Sequence, residues 1–216
     1  MSVRFVGKVG EQFDSEGGTA TSTITTTAAV PVGQFLVLAM RQGSGHVVST
    51  VTDSASNTWQ KLADSDTSNA TGSVWYCVAS SALAVSSTIT ATLTGTTGNR
   101  NVAVWAFDGI TRPTTTNTVA DVPIGSTSVT IGNVTPEQYG SLMFTAVAVN
   151  QSEVFTVSAG WTALPVTTAS VYLSGAYAIR NSMDPLGTTW SWVGTRNGGA
   201  VAGTFTPDGG DMLAIF

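Results

Sequence analysis

Between Val51 and Gly109 the chain reads VTDSASNTWQKLADSDTSNATGSVWYCVASSALAVSSTITATLTGTTGNRNVAVWAFDG. Apolar residues alternate with Thr and Ser, and clusters of Asp, Asn, Gly and Ser break the alternation every few residues. A period of two sends successive side chains to opposite faces, which is the pattern of a half-buried strand. The breaks supply the residues that tight turns need. No window sustains a 3.6-residue apolar period. The nearest helix signals, Thr135-Pro136-Glu137-Gln138 and the SSALAVS connection, each support one turn. The stretch confines the chain to antiparallel β-architecture.

Taken in order, Val3 to Val9 alternates as a strand and EQFDSEGGTAT follows as a polar loop. Ser22 to Thr27 is a Thr-rich strand, and Val30-Pro31-Val32-Gly33 a turn. Phe35 to Met40 (FLVLAM) is a continuous apolar run, short enough for a central strand buried on both faces. Further strands are expected at Val47 to Thr52, from Trp59, at Ser73 to Ala79, at Ser87 to Leu93 and at Val102 to Phe107. Asp53 to Asn57 forms a turn in which side chains bond their own backbone.

About a hundred residues on, the pattern returns. Thr127 to Ile131 echoes Ser22 to Thr26, Gly140 stands where Gly33 did, Trp161 where Trp59 did, and Tyr172 to Ile179 echoes the segment around Tyr76. Thr188 to Val193 followed by Gly199 to Phe205 echoes STITATL followed by VAVWAF. That period is domain-sized, unlike the 20–50 residues of a solenoid or propeller. The expected architecture is all-β: two tandem, internally repeated antiparallel β-sandwich, jelly-roll-like lobes. The first repeat spans residues 1–110, a linker or edge segment 111–126 and the second repeat 127–216. The closing DMLAIF reads as a terminal strand able to pair with the N-terminal one.

Composition removes whole classes of function. Only 10% of residues are charged and the net charge is −5. With two lysines and six scattered arginines no basic stripe exists, so nucleic acid and polybasic membrane attachment are not expected. The 42% hydrophobic content supplies a core. The N-terminus lacks a signal-peptide run and no apolar run reaches about 18 residues, so the expectation is synthesis in a cytoplasm without membrane insertion.

Chemistry-bearing residues are solitary. His46 is the only histidine and Cys77 the only cysteine. His46 lies outside any G-x-S-x-G elbow, and one His with one Cys cannot make a zinc site. Cys77 sits in an apolar strand and reads as a small buried hydrophobe. Asp53 with Asn57 loosely resembles a calcium loop, but Ala55 stands at a ligand position and no bidentate Glu follows, so an Asx turn is the preferred reading. Asp64, Asp66, Glu11, Asp14 and Glu16 are oxygen-rich but unpatterned. Asp64/Asp66 and Asp208/Asp211 are the carboxylate pairs a glycosidase would draw on. Six tryptophans invite a sugar platform, yet Trp75, Trp105, Trp190 and Trp192 lie inside strands, and the matched Trp59 and Trp161 argue for packing. Asn69, Asn133 and Asn150 begin glycosylation sequons. No catalytic, cofactor or metal residue is assigned.

The entry VRFVG, the P-x-G-x-x-LVLA strand, the VTDSASNTW turn with SVWYCVAS, and the closing VAVWAFDG together resemble β-sandwich modules in virion proteins of tailed bacteriophages, often those infecting actinobacteria. The resemblance covers nearly the whole chain. It implies a non-enzymatic structural component of the virion, a minor tail or head-decoration protein, that meets other virion proteins and forms a homo-oligomer. The second repeat departs from it, with VSAGW in place of VTDSASNTW. The alternative is a carbohydrate-binding module or adhesin recognising a cell-surface glycan.

Overall fold

The computed structural model describes residues 2–15, 19–43, 45–66, 70–110, 115–166 and 172–207. Among them there is no helix. The strands are β1 (Arg4–Asp14), β2 (Thr21–Thr25), β3 (Phe35–Gln42), β4 (Val48–Asp53), β5 (Gln60–Asp66), β6 (Thr71–Val78), β7 (Thr88–Leu93), β8 (Arg100–Asp108), β9 (Thr115–Val134), β10 (Ser141–Val149), β11 (Thr156–Val157), β12 (Thr162–Ala163), β13 (Leu173–Arg180) and β14 (Leu186–Phe205). All pairings between strands are antiparallel.

Sequence alternation decides the layers. In β3, Phe35, Val37 and Ala39 enter one core while Leu36, Leu38 and Met40 enter another. This is why an eight-residue strand can be buried throughout. β6 and β8 divide their side chains in the same way, with Tyr76 and Trp105 on one face and Trp75 and Val104 on the other. The sheet β1-β8-β3-β6-β5 is therefore covered twice, on one face by the sheet β2-β7-β4 and on the other by the sheet containing β10 and β13.

That last sheet has the order β11-β14-β10-β13-β12, with β9 beside β14. β9 and β14 are each 20 residues long, and their ladder slips register between Ser191 and Gly198. Beyond the slip the two strands turn back over their own sheet. Trp190, Val129 and Ile131 then pack on Met143, Val147 and Ala200 in a third core. The molecule is a stack of four β-layers. If β9 and β14 are each divided at the slip, the second half has the strand order of the first: β9-β14-β10-β13-β12 answers β1-β8-β3-β6-β5, and β9-β14-β11 answers β2-β7-β4.

The two inner sheets share one core. β5 lies over β9 and β14, β6 over β14 and β10, and β3 over β10 and β13. Phe35 and Tyr76 meet Phe205 at ring distances of 4.8 and 5.2 Å, and Phe107 meets Tyr177 at 5.5 Å. Leu62 fills the space a side chain at Gly203 would need, while Leu164 and Trp105 close on Gly175. The bulk of Trp105 is thus met by the missing side chain of Gly175, and that of Leu62 by the missing side chain of Gly203.

Two details differ from the sequence reading. The polar segment after Val9 is not a loop at once: β1 runs on through Asp14, held in the ladder with Arg100 to Val102. The two short strands expected from Thr188 and from Gly199 are one continuous strand. Of the segment 111–126, the described residues belong to β9, an edge strand. Residues 137–140 form a bend and a turn. DMLAIF lies outside the described residues.

Candidate functional site

The turn after β4 carries the most elaborate polar geometry. Asp53 Oδ1 accepts the backbone N–H groups of Ala55 (2.9 Å) and Asn57 (3.1 Å) and the Asn57 side-chain amide (3.3 Å). Its Oδ2 accepts the indole N–H of Trp59 at 2.8 Å. Asn57 in turn ties down Ser80 and Ser81, and Ser56 takes a positive φ of 59° to close the loop. Four N–H donors converge on one carboxylate, so the turn is a lock and its oxygens already have partners. In the second half Trp161 donates instead to the Gly187 carbonyl at 3.1 Å, which is how VSAGW dispenses with the Asp.

Two buried arginines fasten other ends of the sandwich. Arg100 reaches Thr19, Ser22 and Thr97, with Asp14 3.5 Å away. Arg41 crosses between the halves: its Nε donates to the Val149 carbonyl at 3.1 Å, its Nη1 donates to the Asn99 carbonyl, and its guanidinium lies 5.1 Å over the Tyr172 ring. Burial lowers the Arg41 pKa to about 10, partly offset by the charge interaction with Tyr172.

The remaining sequence candidates are dispersed. The His46 ring packs on Gly95, where an added Cβ would come within 2.6 Å of it. Cys77 is buried, and burial followed by the Asp53 charge pushes its thiol pKa up, away from the reactive thiolate. Asp64 accepts from Lys61 and Ser73, Glu11 pairs with Lys8, and Asp14 accepts from Ser22. Glu16, Asn69, Asp208, Asp211 and the Asp66 side chain lie outside what is described. Among the described residues no three His, Cys, Asp or Glu side chains converge as metal ligands would. All six tryptophans are buried, at 8% exposure or less, so none forms a stacking platform.

One arrangement escaped the sequence reading. The outward face of β2-β7-β4 is built of hydroxyls in ranks set by the ladder: Thr21–Thr92–Thr50, Thr23–Thr90–Thr52 and Thr25–Thr88, with Ser54 beside Thr88. The opposite outer layer has matching ranks, Ser128–Ser191–Thr156 and Thr130–Thr189, with Ser158 beside Thr189. Thr23 and Thr90 share a hydrogen bond of 3.1 Å, as do Thr130 and Thr189. The signal was present as period-two Thr in TSTIT and TITATL, but which strands are neighbours is not readable from it. Beyond these ranks Val193 on β14 and Val154 before β11 are 89% and 82% exposed, and Ile124, within the β9 register slip, is 79% exposed. No family model, no curated protein and no solved structure matches the chain.

Proposed function

We propose that this protein is a non-enzymatic structural component of a tailed-phage virion, a minor tail or head-decoration protein that works through contacts with other virion proteins and with its own copies. One observation carries the reading. The segment most characteristic of the resemblance, Asp53 to Trp59, is spent entirely on holding its own turn and anchoring β5. Residues used in that way make a module that is placed, not one that reacts. The assembly contact would use the exposed Val193 and Val154, because aliphatic side chains left in water favour a protein surface. Among the described residues basic charge would contribute little: Arg41 and Arg100 are buried, Arg4, Lys8, Lys61 and Arg196 are in ion pairs, and Arg180 donates to Ser182.

Negative-stain imaging of particles carrying a tagged copy tests this. Label at repeated positions on tail or head is the expected result. Intact particles that never incorporate the tagged chain would overturn it.

A further inference from the structure

At one end of the core under β2-β7-β4, three polar side chains close on one another. Gln42 follows Leu38 and Met40 along one face of β3, and Ser73 precedes Trp75 and Cys77 on the same face of β6. Asp64 on β5 stands opposite Ser73 in the ladder. Ser73 Oγ donates to Asp64 Oδ1 at 2.6 Å and accepts the Gln42 Nε2–H at 2.8 Å. The Val48 N–H reaches the same Oγ at 3.5 Å, and Lys61 Nζ stands 2.7 Å from Asp64 Oδ2. Gln42 and Ser73 are buried, at 0% and 1% exposure, yet Gln42 Oε1 has no hydrogen-bond donor among the described residues. We propose that Ser73 and Gln42 become joined by an intramolecular ester bond, with release of ammonia.

The cluster holds a nucleophile, a base and an electrophile. A serine hydroxyl whose proton rests on a carboxylate is that side chain in its activated arrangement. Burial keeps outside substrates from Ser73, so the acyl group available to it is the Gln42 carboxamide. Gln42 Cδ is one C–N bond beyond Nε2 and so lies within about 4 Å of Ser73 Oγ. A rotation of the Gln42 side chain closes that to attacking distance. Oγ attacks Cδ while its proton passes to Asp64 Oδ1. The Cδ–Nε2 bond then breaks, the proton returns to the leaving nitrogen, and ammonia departs. Nothing is oxidised or reduced and no co-reactant is needed. The Asp64 side chain is 19% exposed and marks the way out to water. Loss of the ammonia by dilution makes the step one-way, and the ester stays where water does not reach it. The partnerless Oε1 favours the exchange, because a buried amide carbonyl without a donor is penalised and an ester carbonyl, a weaker acceptor, loses less there. The link joins residues 31 positions apart, so β4 and β5 lie inside a closed loop that a pull on the chain ends cannot draw out. This goes beyond the virion reading and stands without it.

The test is the mass of the full native chain, measured after unfolding, with peptide mapping of a digest. The native chain should be lighter than its sequence by one ammonia. The digest should contain one peptide that joins the segments around Gln42 and Ser73. Mild alkali should split it into two peptides, with Glu in place of Gln at position 42. Ser73→Ala should carry its full mass. Asp64→Asn keeps the shape and removes the base, so it should form the link at least a hundredfold more slowly and carry its full mass when freshly purified. A native chain that keeps its full mass after days at 37 °C overturns the proposal, and that outcome needs no variant to fold. So does an ammonia loss that persists in Ser73→Ala, or one that maps to Asn197-Gly198, where an Asn-Gly step can close on itself. Incorporation into particles is not measured here, so the two readings fail separately.

Discussion

Asp53 and Trp59 are joined by a 2.8 Å hydrogen bond from indole to carboxylate, and the same carboxylate holds the backbone of Ala55 and Asn57. The bond converts a turn of small polar residues into the fixed entry to β5. Removing the acceptor leaves several inward donors without partners, a loss of about 2–3 kcal/mol. Asp53→Ala should therefore lower the melting temperature by about 5–10 °C. Asp53→Asn, which keeps one acceptor oxygen, should lose about half as much. Calorimetry on the two variants checks the order, and equal melting of Asp53→Ala and the native chain would remove the lock from the account.

Arg41 binds the halves at a cost that depends on pH. Burial lowers its folded pKa to about 10, below the ordinary arginine value, so between the two the unfolded chain holds more protons than the folded one. Stability attributable to this residue accordingly rises with pH across that window. Urea unfolding of the native chain and of Arg41→Met at pH 9 and pH 11 should show the difference between them moving toward the native chain at the higher pH. A difference that is flat, or that moves the other way, contradicts the burial argument.

Cys77 should be inert while the protein is folded. Its pKa is raised by burial and by Asp53, so the thiolate needed for attack is scarce at pH 8. A thiol-reactive disulfide reagent should label it at least a hundredfold faster in guanidinium than in buffer. Rapid labelling of the native state would mean that the β6 layer opens.

The strands were legible where burial is decided by alternation alone. FLVLAM could be placed as a central strand because six consecutive apolar residues need cover on both faces, and β3 has it. Two things were hidden. β9 contains Pro123 and Gly125, and β14 contains Thr195-Arg196-Asn197-Gly198, so both look like loops, yet these are the places where one strand crosses from layer to layer. The other is partnership. Gly203 and Gly175 give no sign in sequence that they face Leu62 and Trp105, because close approach between sheets leaves only a missing side chain as its trace. The candidate surfaces suffered the same way: Thr23, Thr90 and Thr52 are far apart in sequence and form one rank only once β2, β7 and β4 are side by side.

The buried tryptophans give a direct solution test of the packing. All six should be shielded from iodide and acrylamide, with emission well to the blue of free indole. One strongly quenched tryptophan would reopen the stacking-platform form of glycan binding.

The central claim, assembly through neutral and apolar surface, is tested most directly by light scattering at low and at about molar salt, together with co-sedimentation on phage particles, for the native chain and Val193→Asp. The account predicts an oligomer or a particle-bound state that persists in high salt, because there is little charge to screen. It predicts that Val193→Asp weakens this state while leaving the fold intact. A native chain that stays strictly monomeric at both salts and fails to sediment with particles would contradict it.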